Sequence, residues 1–138
     1  MNSGRCFVDT NVFLYAASMA PEDAAKKEMA ATVIHTPGLV VSSQVIQEFI
    51  SAALRRPALG LGESQIDSWL GFFVPDQVQV LTLSLIRHSV VLRRRYQLSH
   101  WDSTIVAAAL AAGCETLFSE DFTDGQVFDS LRVRNPFH

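Results

Sequence analysis

Short apolar runs alternate along this chain with longer segments of helical pattern, and this alternation constrains the fold more than any other feature of the sequence. We expect strands at residues 5–8, 39–41, 78–83, 115–118 and 131–134. We expect helices between them, at residues 11–18, 21–35, 43–54, 63–73, 85–96 and 101–112. Strands that alternate with helices form a mostly parallel sheet. The sequence therefore predicts a three-layer α/β fold, with a mostly parallel central sheet flanked by helices, in one domain over residues 1–138.

Residues that commonly begin or end helices mark several of these boundaries. Ser42 or Ser43, Ser84 and Ser99 each precede a helical pattern and are candidate N-caps, because a serine hydroxyl accepts a hydrogen bond from a free backbone N–H of the first turn. Gly113 follows the last long helical pattern, where glycine is the preferred residue for closing a helix. These positions make the expected helix limits specific enough to test.

The composition excludes several classes of protein. Hydrophobic residues make up 49% of the 138 positions and charged residues 18%, which is typical of a packed domain and not of a disordered chain. The formal net charge of −3 gives no overall attraction to nucleic acid, so such binding would need a local basic patch. No apolar run reaches the ~20 residues of a membrane span. No signal-peptide pattern precedes the first strand, so we expect a cytoplasmic protein.

The cysteines carry no sign of a metal or disulfide site. Cys6 and Cys114 lie far apart, in apolar surroundings and without CxxC spacing. Free cysteines in such positions behave as small hydrophobic residues. We therefore expect both to be reduced core residues.

Four acidic residues lie beside apolar sequence, where a carboxylate is costly unless its charge is compensated. Asp9 and Asp121 directly follow expected strands, whereas Glu48 and Asp102 lie near the starts of expected helices. Asp102 shares a helical face with apolar residues three, four, seven and eight positions further on, so we expect it to point towards the interior. Sites in parallel sheets lie outside the carboxyl ends of the strands, so all four acids can gather at one end of this sheet.

Each acid also has an ordinary structural explanation. Asp9 suits the N-cap position of the helix that follows it, where aspartate is a preferred residue. Glu48 suits the boundary between the apolar and polar faces of its helix. Asp102 follows Ser99 by three residues, as in a capping box with aspartate in place of glutamate. Asp121 suits a solvated, acid-rich turn. The coincidence of four such positions favours a shared site.

A cluster of carboxylates is most commonly compensated by a hard divalent cation. Mg²⁺ is typically bound by one or two carboxylates, several waters and a substrate phosphate. Such an ion can activate water and stabilise the leaving oxygen of a phosphodiester. No histidine pair has the helical spacing of a zinc site, and neither a P-loop nor a Ser-His-Asp elbow is present. The acids therefore indicate metal-dependent phosphate chemistry.

Arginine supplies most of the positive charge, since the only lysines are Lys26 and Lys27. Three groups of arginines are candidate contacts for a nucleic-acid backbone: Arg55 and Arg56; Arg93, Arg94 and Arg95; Arg132 and Arg134. The triple arginine ends a helix, where cations are favoured by the helix dipole alone. It also leads into the segment before Asp102, which favours a position near the site.

Four fragments, spread in order over nearly the whole chain, resemble the PIN-domain family and in particular the VapC-type toxins of type II toxin–antitoxin systems. The fragments are Phe-Val-Asp-Thr-Asn (7–11), Ser-Ser-Gln-Val-Ile-Gln-Glu-Phe (42–49), Leu-Ser-His-Trp-Asp-Ser-Thr-Ile-Val-Ala-Ala-Ala (98–109) and Leu-Phe-Ser-Glu-Asp-Phe (117–122). Each fragment alone is a weak signal, whereas the ordered set is specific.

The resemblance implies a parallel sheet flanked by helices and an acidic pocket that holds Mg²⁺ or Mn²⁺. It places the four family acids at Asp9, Glu48, Asp102 and Asp121. It places supporting polar residues at Ser119, Thr10 and Asn11, and it leaves the roles of Glu120 and Asp124 open. It further implies a ribonuclease specific for single strands, which forms a homodimer and is inhibited by a small antitoxin protein.

We therefore expect a Mg²⁺-dependent endoribonuclease that hydrolyses single-stranded RNA. Asp9 and Asp102 are expected to bind the metal most directly, Glu48 to complete the site or position the attacking water, and Asp121 to hold a second ion or a metal-bound water. Two alternatives stay open. The first is a non-catalytic binding module whose acids hold a structural cation. The second is a phosphatase with Asp9 as nucleophile, which would want a lysine beside the phosphate.

Overall fold

One sheet forms the centre of the molecule in the computed structural model, which describes residues 4–138. Its strands are β1 (Cys6–Val8), β2 (Leu39–Ser42), β3 (Val78–Gln79), β4 (Thr116–Phe118), β5 (Val127–Phe128) and β6 (Leu131–Arg134). The strands are short, and β1 and β2 are buried along their whole length. This accounts for the continuous apolar runs in the sequence, because a strand covered on both faces has no polar side.

The order of the strands creates a switch point beside β1. The sheet runs β3-β2-β1-β4-β6-β5, and all neighbours are parallel except β5 and β6. The chain moves outward from β1 to β2 and β3, then returns to the other side of β1 as β4. Ligands in open parallel sheets bind at such a point, outside the carboxyl ends of the strands. The expected mostly parallel sheet is confirmed, and its order directs attention to the ends of β1 and β4.

The helices form one layer on each face of the sheet. They are α1 (Thr10–Ala17), α2 (Ala24–Ile34), α3 (Ser43–Arg55), α4 (Glu63–Leu70), α5 (Leu83–Tyr96) and α6 (His100–Ala111). Helix α1 packs on α2 and α3, and α3 packs on α4, whereas α5 packs along α6, which lies against β2, β3 and β6. Right-handed crossovers place the first group on one face and the second on the other, because the chain reverses its direction across the sheet after β3. The predicted three-layer architecture is confirmed.

Apolar side chains from both layers meet the sheet in a continuous core. The largest fully buried side chains are Phe7, Phe13, Phe49, Phe128, Leu92, Leu117, Leu131, Val8, Val12, Val41, Val45 and Val106. Cys6 and Cys114 are buried and free, as the sequence predicted. Within residues 4–138, no helix combines the length and the hydropathy that crossing a membrane requires.

The third strand is shorter than predicted and the helix after it starts earlier. Strand β3 ends at Gln79, and Val80 and Leu83 are 60% and 61% exposed, so the apolar alternation over residues 78–83 does not form the buried face of a strand. The N-cap of α5 is Thr82 and not Ser84, because the Thr82 hydroxyl accepts a hydrogen bond from the Leu85 N–H at 3.2 Å. The prediction of a strand through residue 83 was therefore wrong.

Strand β5 and helix α4 also differ from the sequence prediction. Strand β5 was not predicted; it pairs antiparallel with β6 through a turn in which Asp129 has a φ of 52°. Helix α4 ends at Leu70 and not at residue 73, since Gly71 and the residue after it continue as a turn. The N-caps predicted for α3 and α6 are confirmed: Ser42 accepts from the Val45 N–H and Ser99 from the Asp102 N–H.

Candidate active site

A cavity of about 650 Å³ opens at the carboxyl ends of the parallel strands. Residues that follow β1, β2, β3 and β4 all line it, which places it at the switch point of the sheet. The lining includes Asp9, Glu48, Asp102 and Asp121, called the four acids below. The sequence expectation that these acids gather at one end of the sheet therefore agrees with the geometry.

Asp9 lies at the bottom of this cavity and is only 6% exposed. It follows β1 directly and caps α1, where its Oδ1 accepts a hydrogen bond from the Thr10 N–H at 2.7 Å. Its Oδ2 accepts from the Ser119 hydroxyl at 2.7 Å. Burial nevertheless raises the pKa of Asp9 to about 7, against the effect of these two hydrogen bonds and with help from the charges of Asp121 and Glu48. Asp9 is thus a helix cap and a cavity carboxylate at once.

Glu48 projects from α3 towards α1. Its Oε1 accepts a hydrogen bond from the Thr10 hydroxyl at 3.1 Å, which holds the carboxylate beside the start of α1. Partial burial raises the pKa of Glu48, while hydrogen bonds from Thr10 and Gln44 oppose that rise. The negative charges of Asp102 and Asp121 raise this pKa further. Glu48 therefore belongs electrostatically to the same group as the acids on other elements.

Asp102 lies in the first turn of α6 and is half-buried, not turned into the core as the helical periodicity predicted. Residues 103–109 are all buried, so α6 has no single apolar face that would fix the direction of Asp102. The Asp102 N–H donates to the Ser99 hydroxyl at 3.1 Å. Among residues 4–138, no hydrogen bond returns from the Ser99 N–H to the Asp102 carboxylate, so the capping box is only half formed. The carboxylate is left to face the cavity.

Asp121 lies at the rim, just after β4. Both of its carboxylate oxygens accept from the Asn11 side-chain amide, at 3.1 and 2.9 Å. Partial burial raises the pKa of Asp121, and the charges of Glu120 and Asp102 add to that rise, while the hydrogen bond from Asn11 lowers it. The side chains of Thr10, Asn11 and Ser119 therefore each donate to one of the four acids, namely Glu48, Asp121 and Asp9. The resemblance placed Thr10 or Asn11 near Asp9, and it is the Thr10 backbone N–H that bonds this carboxylate.

Ser119 joins the bottom of the cavity to its rim. It is fully buried, donates to Asp9 Oδ2 and accepts from the Asp121 N–H at 3.1 Å. Its hydroxyl therefore sets the distance between the ends of β1 and β4, which also meet where the Asp9 N–H donates to the Phe118 carbonyl.

Replacing Ser119 by alanine is expected to lower the free energy of unfolding by about 1–3 kcal/mol, because it leaves a buried carboxylate oxygen and a backbone N–H without their partner. Urea unfolding of Ser119→Ala and wild type measures this loss. Ser68→Ala, at an exposed position of α4, is the matched control and should change stability little. Equal stability of Ser119→Ala and wild type would contradict the proposed link.

Two acids whose roles the sequence left open do not line the cavity. Glu120 pairs with Lys26 at 3.3 Å. Asp124 accepts a hydrogen bond from the Asn135 N–H at 2.8 Å and lies 3.9 Å from His138. Glu120 therefore contacts a residue of α2 and Asp124 contacts residues near the C-terminus, so neither of these two acids lies with the four acids.

The structure brings a different group of arginines to the cavity from the one that proximity in the sequence favoured. Arg93, Arg94 and Arg95 end α5 and do not line the cavity. Arg95 instead pairs with Asp129 in the β5–β6 turn at 3.3 Å. The cavity lining contains Arg55 and Arg56, which end the helix that carries Glu48. The sequence feature that could have predicted this position is that Arg55 and Arg56 end the same helix that carries Glu48.

Gln44 is a further residue that the sequence did not single out. It is buried at the start of α3, where its Oε1 accepts from the Thr104 hydroxyl at 2.5 Å and its Nε2 donates to the Trp101 carbonyl at 3.3 Å. These bonds fix the start of α3 against the first turn of α6. They therefore set the position of Glu48 relative to Asp102.

The donor set suits a hard divalent cation. The four acids supply only oxygen ligands, and no ion pair within residues 4–138 involves any of them. Burial, together with the charges of neighbouring acids, raises the pKa of three of them, Asp9, Glu48 and Asp121. In the described part of the chain, no three acidic, histidine or cysteine side chains converge closely enough to enclose an ion by themselves. Mg²⁺ fits this arrangement, because it takes one or two carboxylates directly and keeps several waters.

A comparison with protein-family models identifies the family of this chain. The model of the PIN domain family matches residues 6–123, a range that includes all four acids. The chain belongs to the PIN domain family. Among curated proteins, no sequence matches this PIN domain.

Solved structures share the fold at low sequence identity. A toxin–antitoxin complex from Klebsiella pneumoniae aligns with a TM-score of 0.69 and 20% identity, over 95% of this chain and 97% of its own. VapC20 of Mycobacterium tuberculosis, described as a sarcin–ricin loop cleaving toxin, aligns with a TM-score of 0.64 and 20% identity, over 92% and 98%. VapBC2 of Rickettsia felis, bound to a fragment of promoter DNA, aligns with a TM-score of 0.67 and 16% identity, over 94% and 97%. At these identities the likeness establishes the fold alone.

Proposed function

We propose that this PIN domain is a metal-dependent endoribonuclease that hydrolyses single-stranded RNA with Mg²⁺ or Mn²⁺. The observation that carries the proposal is the group of four acids around one cavity at the switch point of the sheet, none of which forms an ion pair within residues 4–138. Membership of the PIN domain family supports the same chemistry. The bound cation would supply a Lewis acid for the phosphate and a more acidic attacking water.

The environments of the acids suggest different roles. Asp9 and Asp102 are proposed as the principal ligands. Asp9 is fixed by two hydrogen bonds at the bottom of the cavity, and the carboxylate of Asp102 takes no part in capping its helix. Glu48 is proposed to orient the attacking water and take its proton at a carboxylate oxygen, because a raised pKa suits a general base near neutral pH. Asp121, held by Asn11 at the rim, would extend the donor set towards a second ion.

A place in a toxin–antitoxin pair is part of the same proposal. The solved structures that share the fold include a toxin–antitoxin complex, an RNA-loop-cleaving toxin and a VapBC pair on DNA. We propose that this chain is likewise a cytoplasmic toxin, that it forms a homodimer, and that a small antitoxin protein inhibits it.

The phosphatase alternative is disfavoured by the position of the lysines. Lys26 donates to the Tyr15 hydroxyl at 3.1 Å and pairs with Glu120, and Lys27 donates to the Ser18 carbonyl at 2.8 Å. Neither lysine lines the cavity.

Replacing Asp102 by asparagine is expected to leave the fold intact and to lower cleavage of RNA by about a hundredfold or more, the scale for removing a group that stabilises transition-state charge. The assay follows a structured RNA pool incubated with Mg²⁺ or with EDTA. Asp67→Asn, an exposed acid of α4, is the matched control. An Asp102→Asn protein with full activity would exclude the assigned site. Folded protein that Mg²⁺ stabilises but that leaves RNA intact would favour the binding-module alternative.

A further inference from the structure

Trp101 is an exposed aromatic residue whose ring meets that of the adjacent His100 at a centroid distance of 4.8 Å. It lies in the first turn of α6, next to Asp102, lines the cavity and is 62% exposed. Its backbone is firmly held, because its carbonyl accepts from Gln44 at 3.3 Å and from the Thr104 hydroxyl at 2.7 Å. An indole on a fixed backbone at a cavity wall offers a flat apolar surface to a ligand.

The charges of the cavity change sign along α3. Glu48 and Arg55 lie on the same wall and are seven residues apart, which corresponds to about 10 Å along the helix. The Arg55 Nε donates to the Ser51 hydroxyl at 3.2 Å. Neither Arg55 nor Arg56 has a carboxylate within 4 Å in the part of the chain that the structure describes. The cavity therefore has an acidic end at the strand termini and a basic end at the C-terminus of α3.

We infer that this cavity binds a single strand of RNA with one base stacked on the Trp101 indole and a neighbouring phosphate paired with Arg55 or Arg56. The inference rests on the proposed function and specifies how its substrate is held. Aromatic side chains bind bases by stacking, and the bases must be unpaired and splayed to reach them. Arginine suits phosphate because its guanidinium donates two parallel hydrogen bonds. The acids would then act on a phosphate next to the stacked base.

The experiment measures binding separately from cleavage. Labelled short single-stranded RNA of mixed sequence is titrated with Asp102→Asn protein in Mg²⁺, and affinity is read from fluorescence anisotropy. Trp69→Phe leaves Trp101 as the single tryptophan of the chain, since the sequence has two. Its emission then reports contact with the RNA directly. The same RNA annealed to its complement forms the second arm.

We expect the single strand to quench Trp101 and the duplex to bind at least tenfold more weakly. Trp101→Ala should weaken affinity for the single strand about tenfold, whereas Trp101→Phe should retain most of it. Arg55→Gln with Arg56→Gln should weaken affinity and reduce the salt dependence, by about 0.7 in the log–log slope for each phosphate that is no longer neutralised. Arg93→Gln with Arg94→Gln, outside the cavity lining, is the matched control. Circular dichroism checks that each variant is folded.

The outcomes separate this inference from the proposed function. If wild type cleaves RNA but Trp101→Ala binds and cleaves as well as wild type, the stacking site is excluded and the nuclease stands. If no RNA is cleaved but binding depends on Trp101 and on Arg55 with Arg56, the inferred strand site stands and the nuclease fails. If RNA does not quench the Trp101 emission at all, the inference is wrong, and a protein partner becomes the expected ligand of the exposed indole.

Discussion

Replacing Asp9 by asparagine is expected to lower RNA cleavage by about a thousandfold or more while making the metal-free protein more stable. Both effects follow from the position of Asp9 at the bottom of the cavity, 6% exposed and surrounded by other acids. Removing a carboxylate from a site that stabilises transition-state charge costs rate on this scale. Removing a buried, uncompensated charge also relieves its desolvation cost.

The substitution is nearly isosteric; it can keep the hydrogen bond with Thr10 and reverses the direction of the one with Ser119. The asparagine oxygen can accept from the Thr10 N–H, and its amide can donate to the Ser119 hydroxyl, where Asp9 now accepts. Urea unfolding in EDTA and in Mg²⁺ measures the two stabilities beside the cleavage assay. Wild type should gain stability from Mg²⁺ and Asp9→Asn should gain much less. Asp67→Asn serves as control; lower stability of Asp9→Asn in EDTA would contradict the account of Asp9 as an uncompensated charge.

The sequence was sufficient for the main architecture because the buried strands are apolar throughout. Strands β1 and β2 are buried along their whole length, and the helix after β2 starts at a recognisable cap, Ser42. Strand β5, in contrast, has only two residues, of which Val127 is exposed. Its pairing depends on the turn at Asp129 and on β6, so local pattern carried no signal for it.

The direction of Asp102 shows where helical periodicity stops being informative. Periodicity locates the inner face of a helix only when the opposite face is polar. In α6, residues 103–109 are buried on every side, so the apolar stripe assigned from the sequence did not distinguish core from cavity. The direction of this carboxylate is instead set by tertiary contacts of the first turn, through Gln44 and Thr104.

The arginines show that proximity in sequence did not predict which residues line the cavity. Arg93, Arg94 and Arg95 are closer to Asp102 in sequence than Arg55 is, yet only Arg55 and Arg56 line the cavity. The short connection after α5 leaves the end of that helix beside Asp129, with the Tyr96 hydroxyl donating to its carboxylate at 2.7 Å. The three arginines at the end of α5 therefore lie away from the cavity although they are close to Asp102 in sequence. Glu48 and Arg55, in contrast, lie about two turns apart on the same helix, α3, and both line the cavity.

The stability of the metal-free protein is expected to fall as pH rises from about 4 to about 7, and to level off above that range. The cause is Asp9, whose pKa is about 7 in the folded protein against an ordinary value of 3.8. Between these values the folded state holds a proton that the unfolded state has released, so raising the pH favours unfolding. The full difference corresponds to on the order of 4 kcal/mol. The raised pKa values of Glu48 and Asp121 act in the same direction.

Bound Mg²⁺ should flatten this dependence, because a cation favours the ionised carboxylates of the folded state and its affinity rises as they lose protons. The measurement is the urea midpoint of wild type across this pH range, in EDTA and in saturating Mg²⁺. Asp9→Asn in EDTA is the control that subtracts the exposed histidines and other carboxylates, and it should lose most of the slope. Stability that rises with pH in EDTA, or an equal slope in Asp9→Asn, would show that the charge of Asp9 is already compensated within the protein. The case for a metal at this cavity would then lose its electrostatic basis, since the cation is proposed as the missing compensation for that charge.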